Sequence, residues 1–344
     1  MDASIVMAKR KLSPPAFIKK VRDAVKQYDM IRPGGKVLAA VSGGPDSVCL
    51  LKSLMEMRRD LDVEIVVGNL DHGIRGKESG EDSDFVRKLA RDLGLDCAHR
   101  KMRVKTRRDR KKSLEECARE KRYKFLKEAA GKHGCDIIAT GHTMDDQAET
   151  VLIRLITGAS LKGMAGIPVV RYEGDLKIVR PLIGVEKKEV LDYLEAIRWE
   201  YCVDRTNKER KYLRNRIRHE VLPFLRNYNP KIKRALVNLS DTIREDVAFL
   251  EAEKKKVING HPGTGKGPVK IRTGDLILQP GALRKEVFKH LFSMAGGNVK
   301  KLTYRHWRDM DYFLRAGEKG KSLDFPGGVR VTKVKDEIVF KKRR

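Results

Sequence analysis

Along the first two-thirds of the chain, apolar runs alternate with amphipathic stretches, and each run ends in glycine or polar turn residues. Val37–Val41 (VLAAV), bounded by Gly35 and by Gly43-Gly44, is short and continuously apolar, the pattern of a buried strand. From about Asp46 to Arg59, Val48, Leu51 and Met55 share one stripe, which predicts a helix. Val63–Leu70 reads as the next strand, Glu81–Leu93 as a helix and Cys97–Val104 as a third strand. Ser113-Leu-Glu-Glu116 has the form of a capping box opening another helix. Asp136–Thr140 and Asp145–Ile156 repeat the strand–helix pair. Such alternation predicts an α/β fold with a parallel sheet sandwiched by helices.

Beyond Gly166-Ile-Pro168 the pattern loosens. Helices are expected over Glu186–Arg198, Leu213–Leu225 and, long and charged, from about Lys231 to Val257. Asn259–Pro268 (NGHPGTGKGP) has the composition of a flexible linker. Two helices, about Pro280–Met294 and Thr303–Ala316, precede short strands around Leu323–Phe325, Val329–Val334 and Ile338–Phe340. The prediction is a large domain over residues 1–225 and a smaller α+β domain over 226–344, with the boundary near 226.

Charge adds what periodicity cannot. The 344 residues carry 75 Lys and Arg against 47 Asp and Glu, a net +28 that calls for a polyanionic partner. Nucleic acid leads, and an acidic membrane surface comes second. No window approaches the apolar length needed to span a bilayer, and the first 17 residues lack the apolar region of a signal peptide. The five cysteines (Cys49, Cys97, Cys117, Cys135, Cys202) are odd in number and never spaced CxxC, which excludes a disulfide scaffold. A cytoplasmic setting is expected. Aromatic residues make up only 6% of the chain, so RNA contact is expected through Lys and Arg, not through many stacked bases. The run from Arg100 to Lys112 is the densest basic segment for that purpose.

Four segments carry candidate chemistry. Ser42-Gly43-Gly44-Pro45-Asp46-Ser47 lies between the first strand and the first helix, where backbone N–H groups and a helix N-terminus converge on an anion. An N-cap explains one residue of this set but not two glycines, two serines and an aspartate together. Asp46 suits a phosphate site when Mg²⁺ lies between the two negative charges. Thr140–Thr150 (TGHTMDDQAET) repeats the strand-end placement, with Asp146 and Glu149, or Asp145 and Glu149, on one helix face. Its carboxylates would sit at the same rim as Asp46. Asn69–Arg75 (NLDHGIR) puts His72 and Arg75 at the end of the second strand. Asp204–Asn207 (DRTN) is followed by Arg214, Asn215, Arg216 and Arg218, and the three arginines cannot all share one helical face. Taken singly, each arginine fits a solvated face best. Gly260–Gly267 imitates a nucleotide-binding loop but lacks the hydroxyl, the strand before it and the helix after it, so it is assigned to the linker.

SGGPDS after VLAAV resembles the pyrophosphate loop of the PP-loop ATP pyrophosphatases. Within them the chain is most similar to the tRNA(Ile)-lysidine synthetases, through LDHGIR, KKSLEECAREKRYKFL, GHTMDDQAETVLIRLITGASLKGMAGI, RPLIGVEKKEV, DRTN and RNRIRHEVLPFL in that order. The resemblance implies a Rossmann-like fold, ATP and Mg²⁺ as cofactors, and a C-terminal domain that binds tRNA. It implies ligation of L-lysine to C2 of the wobble cytidine of the CAU-anticodon isoleucine tRNA, through an adenylated cytidine. By motif, Ser42, Gly43, Gly44, Pro45, Asp46 and Ser47, with His72 and Arg75, would bind ATP. Asp46, Asp146, Glu149 and His142 would be catalytic, with Asp46 and Asp146 on the metal and Asp146 or Glu149 as base. Arg214, Asn215 and Arg218 would hold lysine or tRNA. The rivals are a PP-loop tRNA thiolase and an inactive basic RNA-binding protein. The oligomeric state, a homodimer included, is left open by the sequence.

Overall fold

A computed structural model describes residues 12–71, 77–102, 114–203, 213–259, 268–316 and 318–343. The chain forms two compact units, Met1–Asp241 and Thr242–Arg344, and the division falls inside the long helix Ile232–Asn259.

The first unit is built on β1 (Lys36–Ala40), β2 (Glu64–Asp71), β3 (Asp96–Lys101), β4 (Ile137–Ala139), β5 (Val170–Glu173) and β6 (Leu176–Val179). Their order is β3-β2-β1-β4-β6-β5, parallel throughout except for β5, which closes one edge antiparallel to β6. The helices are α1 (Pro14–Gln27), α2 (Pro45–Leu61), α3 (Lys77–Asp92), α4 (Leu114–His133), α5 (Met144–Ile156), α6 (Leu161–Met164) and α7 (Lys187–Ala196). Then α8 (Leu213–Arg216) passes through a π-helical turn at Ile217–Val221 into α9 (Leu222–Tyr228), and α10 (Ile232–Asn259) follows.

The central strands are buried on both faces, as continuous apolar strands require. In β1, Val37 and Ala39 join a core with Phe17 and Val21 of α1, Leu50 and Leu54 of α2 and Leu194 of α7. Leu38, pointing the other way, packs with Phe125 and Leu126 of α4. Each such fully buried side chain contributes roughly 1.5–3 kcal/mol. A third cluster joins Ala148, Val151 and Leu152 of α5 to Ile217, Leu222 and Leu236.

The strands before and after β4 wind outward in opposite directions from β1 and β4, which makes the crevice between these two carboxyl ends the switch point of the sheet. The two motif-bearing loops sit there. Gly141 allows their contact: a Cβ at this position would lie 2.9 Å from the carbonyl oxygen of Asp46. Gly43 turns the first loop with φ +93°, a region that side chains disfavour.

The second unit contains β7 (Val269–Arg272), α11 (Thr273–Ile277), α12 (Gly281–Met294), α13 (Tyr304–Ala316), β8 (Ser322–Phe325), β9 (Val329–Val334) and β10 (Glu337–Lys342). Its antiparallel sheet has the order β7-β10-β9-β8. Val287, Phe288 and Leu291 of α12 pack with Met310 and Leu314 of α13 and with Val331, Ile338 and Phe340. The sequence predicts three of these four strands. It also misses α1, α6, α11 and the β5–β6 hairpin. None of the helices among the described residues is long and apolar enough to cross a membrane.

Candidate active site

The loop after β1 is tied by its own serines. Ser42 N–H donates to Ser47 Oγ at 3.1 Å, and the Ser47 hydroxyl donates to the Gly44 carbonyl at 2.8 Å. Gly44 caps α2, Pro45 opens it with a preset φ, and Asp46 stands in its first turn. One Asp46 oxygen pairs with the Lys187 ammonium of α7. The other, Oδ1, is buried and has no hydrogen-bond partner. Burial pushes the Asp46 carboxyl above its ordinary range, and the charge of Lys187 offsets part of that rise.

The loop after β4 presents the second set. Thr143 caps α5 in a reciprocal box: its N–H donates to Asp146 Oδ2 at 2.8 Å and its hydroxyl to the same atom at 3.1 Å. Asp146 Oδ1 accepts from Arg214 at 3.0 Å. Burial opposes ionisation of Asp146, but the charges of Arg214 and Arg218 and the Thr143 N–H favour the carboxylate and hold the carboxyl below its usual range. His142 Nδ1 lies 2.9 Å from the Thr140 hydroxyl. Burial lowers the His142 pKa to about 3, Asp146 opposes that shift, and Arg180 and Arg119 reinforce it, so the ring is neutral at pH 7.

Glu149 is spoken for by its arginines. It is 1% exposed; Arg218 donates to both its oxygens, at 2.6 and 3.1 Å, and Arg214 donates to Oε2 at 2.8 Å. Arg214 thus bridges Asp146 and Glu149. Asp145 faces elsewhere: it pairs with Lys233 of α10 and accepts the Lys187 N–H at 2.8 Å, which fastens α7 and α10 to α5.

A cavity of about 590 Å³ opens at this rim, lined by Ser42, Gly44, Pro45, Asp46, Ser47, His142 and Asp146. Lys187 and, from α4, Arg119, Arg122 and Tyr123 also line it. The sequence reading singles out none of these four; each looks like an ordinary helix-surface residue until the fold turns it inward. Glu149, Arg214 and Arg218 stand behind Asp146, and Asn215 is half-buried in α8. The expectation of a solvated face fails for Arg214 and Arg218 and holds for Arg216, whose side chain is 59% exposed. His72 and Arg75 lie outside the described residues, as do Asp204–Asn207, Ser113, the basic stretch from Arg103 to Lys112 and the glycine-rich Gly260–Gly267.

The donor set fits a divalent cation carried on phosphates. Asp46 Oδ1 is an orphaned, buried carboxylate oxygen beside an anion loop. Among the described residues no group of three His, Cys, Asp or Glu side chains could form a protein-only cage. Mg²⁺ is suited by such an arrangement, with one or two carboxylates and the rest of its shell from phosphate and water.

A parallel sheet with a serine–glycine anion loop at its switch point, and an aspartate with one orphaned oxygen lining the cavity, defines a PP-loop nucleotide-binding domain. Residues 15–225 match the PP-loop domain family. The chain is 33% identical over 324 residues to a tRNA(Ile)-lysidine synthase of Clostridioides difficile, covering 93% of this chain and 70% of the relative. It is 34% identical over 336 residues to that of Bacillus cereus strain ATCC 10987, covering 94% and 69%. It is 33% identical over 335 residues to that of Geobacter sulfurreducens, covering 96% and 70%. The chain belongs to the tRNA(Ile)-lysidine synthase family, and it is an ATP-using ligase. A U34-tRNA thiolase from Methanococcus maripaludis, NcsA with its [4Fe-4S] cluster, shares the fold at TM-score 0.58 and 19% identity, covering 70% of this chain and 86% of its own.

At 19% identity that likeness shows the fold alone. Burial pushes the thiols of Cys49 and Cys202 up to about 12 and that of Cys135 up to about 11.

Proposed function

We propose that the enzyme uses ATP to activate the wobble cytidine of the CAU-anticodon isoleucine tRNA and then joins L-lysine to it. The C2 oxygen of the base attacks the α-phosphate and pyrophosphate leaves. The ε-amine of lysine then attacks C2, AMP departs with that oxygen, and the base becomes lysidine. The observation that carries this reading is Asp46 Oδ1, buried and unpartnered beside a loop built to hold phosphates.

In this reading Ser42, Gly43, Gly44 and Ser47 hold the pyrophosphate portion, and Pro45 sets the entry into α2. Asp46 holds Mg²⁺, which when bound offsets negative charge gathering on the phosphates. Lys187 offsets part of the burial that opposes ionisation of Asp46. Asp146 lines the cavity in its ionised form, its oxygens already accepting from Thr143 and Arg214, and draws the lysine ammonium by charge. The arginines fill both oxygens of Glu149, so its role is to hold Arg214 and Arg218 in place. Neutral His142 directs its free ring nitrogen as a hydrogen-bonding group without adding charge. His72 and Arg75 join the ATP site on their motif alone.

Incubation with ATP, labelled lysine and the CAU-anticodon isoleucine tRNA tests the reading. Label enters the tRNA, and replacing the wobble cytidine abolishes it. Absence of label, or label that survives the replacement, overturns the assignment.

A further inference from the structure

Two neighbouring aromatic side chains of α9 lie outside the site and outside every core. Phe224 and Tyr228 of α9 are 58% and 76% exposed, and their rings meet edge to face with centroids 5.3 Å apart. Four residues apart, they share one helix face. The inner face of α9 is already filled, by Leu222 and Leu225 against the α5 cluster, so packing does not call for the aromatic pair. Tyr172, Phe249, Tyr304 and Tyr312 are exposed too, but of the exposed aromatics among the described residues Phe224 and Tyr228 are the two whose rings touch each other.

Charge around the pair says what would cover it. From Leu213 to Arg234 the sequence holds seven Lys or Arg and a single acid, Glu220. Arg214, Arg218 and Lys233 are taken up by Glu149, Asp146 and Asp145, whereas Arg226, Lys231 and Arg234 are exposed. An apolar protein face would leave these cations unanswered. A polyanion whose monomers also carry flat π faces answers both features. Phe224 follows Arg218 by six residues on one helical run, roughly 9 Å along the axis at ~1.5 Å per residue.

We infer that Phe224 and Tyr228 form a stacking platform for unpaired bases of the RNA substrate, next to the nucleotide held at the rim. The inference rests on the proposed reaction for the identity of that RNA. It adds a pair of rings to the expected contact through Lys and Arg, because single-stranded RNA loops are recognised by bases splayed onto aromatic side chains.

The test uses the full chain and the CAU-anticodon isoleucine tRNA, with binding measured from 50 to 200 mM salt. Two double variants are compared with the parent: Phe224→Ala with Tyr228→Ala, and Phe224→Leu with Tyr228→Leu. Both are expected to weaken binding about tenfold or more, the size of lost base stacking, with thermal midpoints unchanged. The slope of affinity against salt stays that of the parent, because no phosphate contact is removed. Parental affinity in the leucine pair, with loss only in the alanine pair, would mean that the patch is an apolar protein-docking face and would overturn the inference. So would parental affinity in both pairs, or a changed salt slope. Lysine incorporation by the parent scores the proposed reaction separately, so either idea can fail alone.

Discussion

Arg218 grips Glu149 at two points, with Nε 2.6 Å from Oε1 and Nη2 3.1 Å from Oε2. The pair joins the π-helical turn to α5 and, through Arg214, reaches Asp146. A buried carboxylate with three N–H donors is stable only as a set, because each charge has lost its water.

Breaking that set is therefore costly. Glu149→Ala leaves two arginines facing each other and is expected to lower the unfolding free energy by about 3–5 kcal/mol. Adding Arg218→Met to it should recover part of the loss, since the second change removes one stranded charge. Urea unfolding of the two single variants and the double variant measures both quantities. Strict additivity would show that the two residues do not act as a pair.

Asp46→Asn tests the other carboxylate. The fold should persist, because Oδ1 makes no protein hydrogen bond that the change would break. Pyrophosphate release with tRNA present is expected to fall about 10²-fold or more, the scale of losing a preorganised charge at a transition state. Binding of tRNA is expected to stay at the parental level. Loss of both would assign the loop a structural role.

At Gly141 the expectation is steric. An alanine Cβ would lie 2.9 Å from the carbonyl oxygen and 3.0 Å from the carbonyl carbon of Asp46, and backbone cannot swing aside as a side chain can. Gly141→Ala should cost about 1–3 kcal/mol as overpacking does. It should also raise the KM for ATP, because the displaced atoms belong to the phosphate loop. A thermal midpoint and an ATP titration read the two effects.

His142 predicts a direction with pH. Its folded pKa, lowered by burial to about 3, lies below the unfolded value near 6.5. Between these values the unfolded chain binds more protons, so stability is full above about pH 6.5 and falls as the solution is acidified towards pH 3. Between pH 7.5 and pH 5 this one ring should cost about 1–2 kcal/mol, and His142→Gln should remove that share. Unfolding curves at the two pH values check it; an equal acid loss in the variant would rule it out.

Much of this architecture can be read from the chain itself because its signals are local. VLAAV followed by SGGPDS, and DIIAT followed by GHTMDD, each place an apolar strand, a turn and a helix start within a dozen residues. Four-residue strands are harder. The β5–β6 hairpin, VRYE and LKIV, and β7, VKIR, are too short for alternation to separate them from loop. In α1 the buried stripe Phe17, Val21 and Val25 is diluted by lysines and follows two prolines, so its helical period is masked. The site's hidden half depends on long-range pairing. Nothing local links Lys187 to Asp46, which lies 141 residues away, or Arg218 to Glu149, 69 residues away. Periodicity could show only that Arg214 and Arg218 share a face, not that an acid waits opposite.

The contact between Gly141 and the Asp46 backbone also shapes the cavity wall. The loops after β1 and β4 are seated on each other with no side chain between them, so they give the ligand one continuous surface of backbone. Long side chains enter the lining from another element, where Arg119, Arg122 and Tyr123 of α4 contribute to it. One cavity thus joins a surface of main chain, suited to phosphates, to a surface of side chains, suited to whatever the phosphates carry.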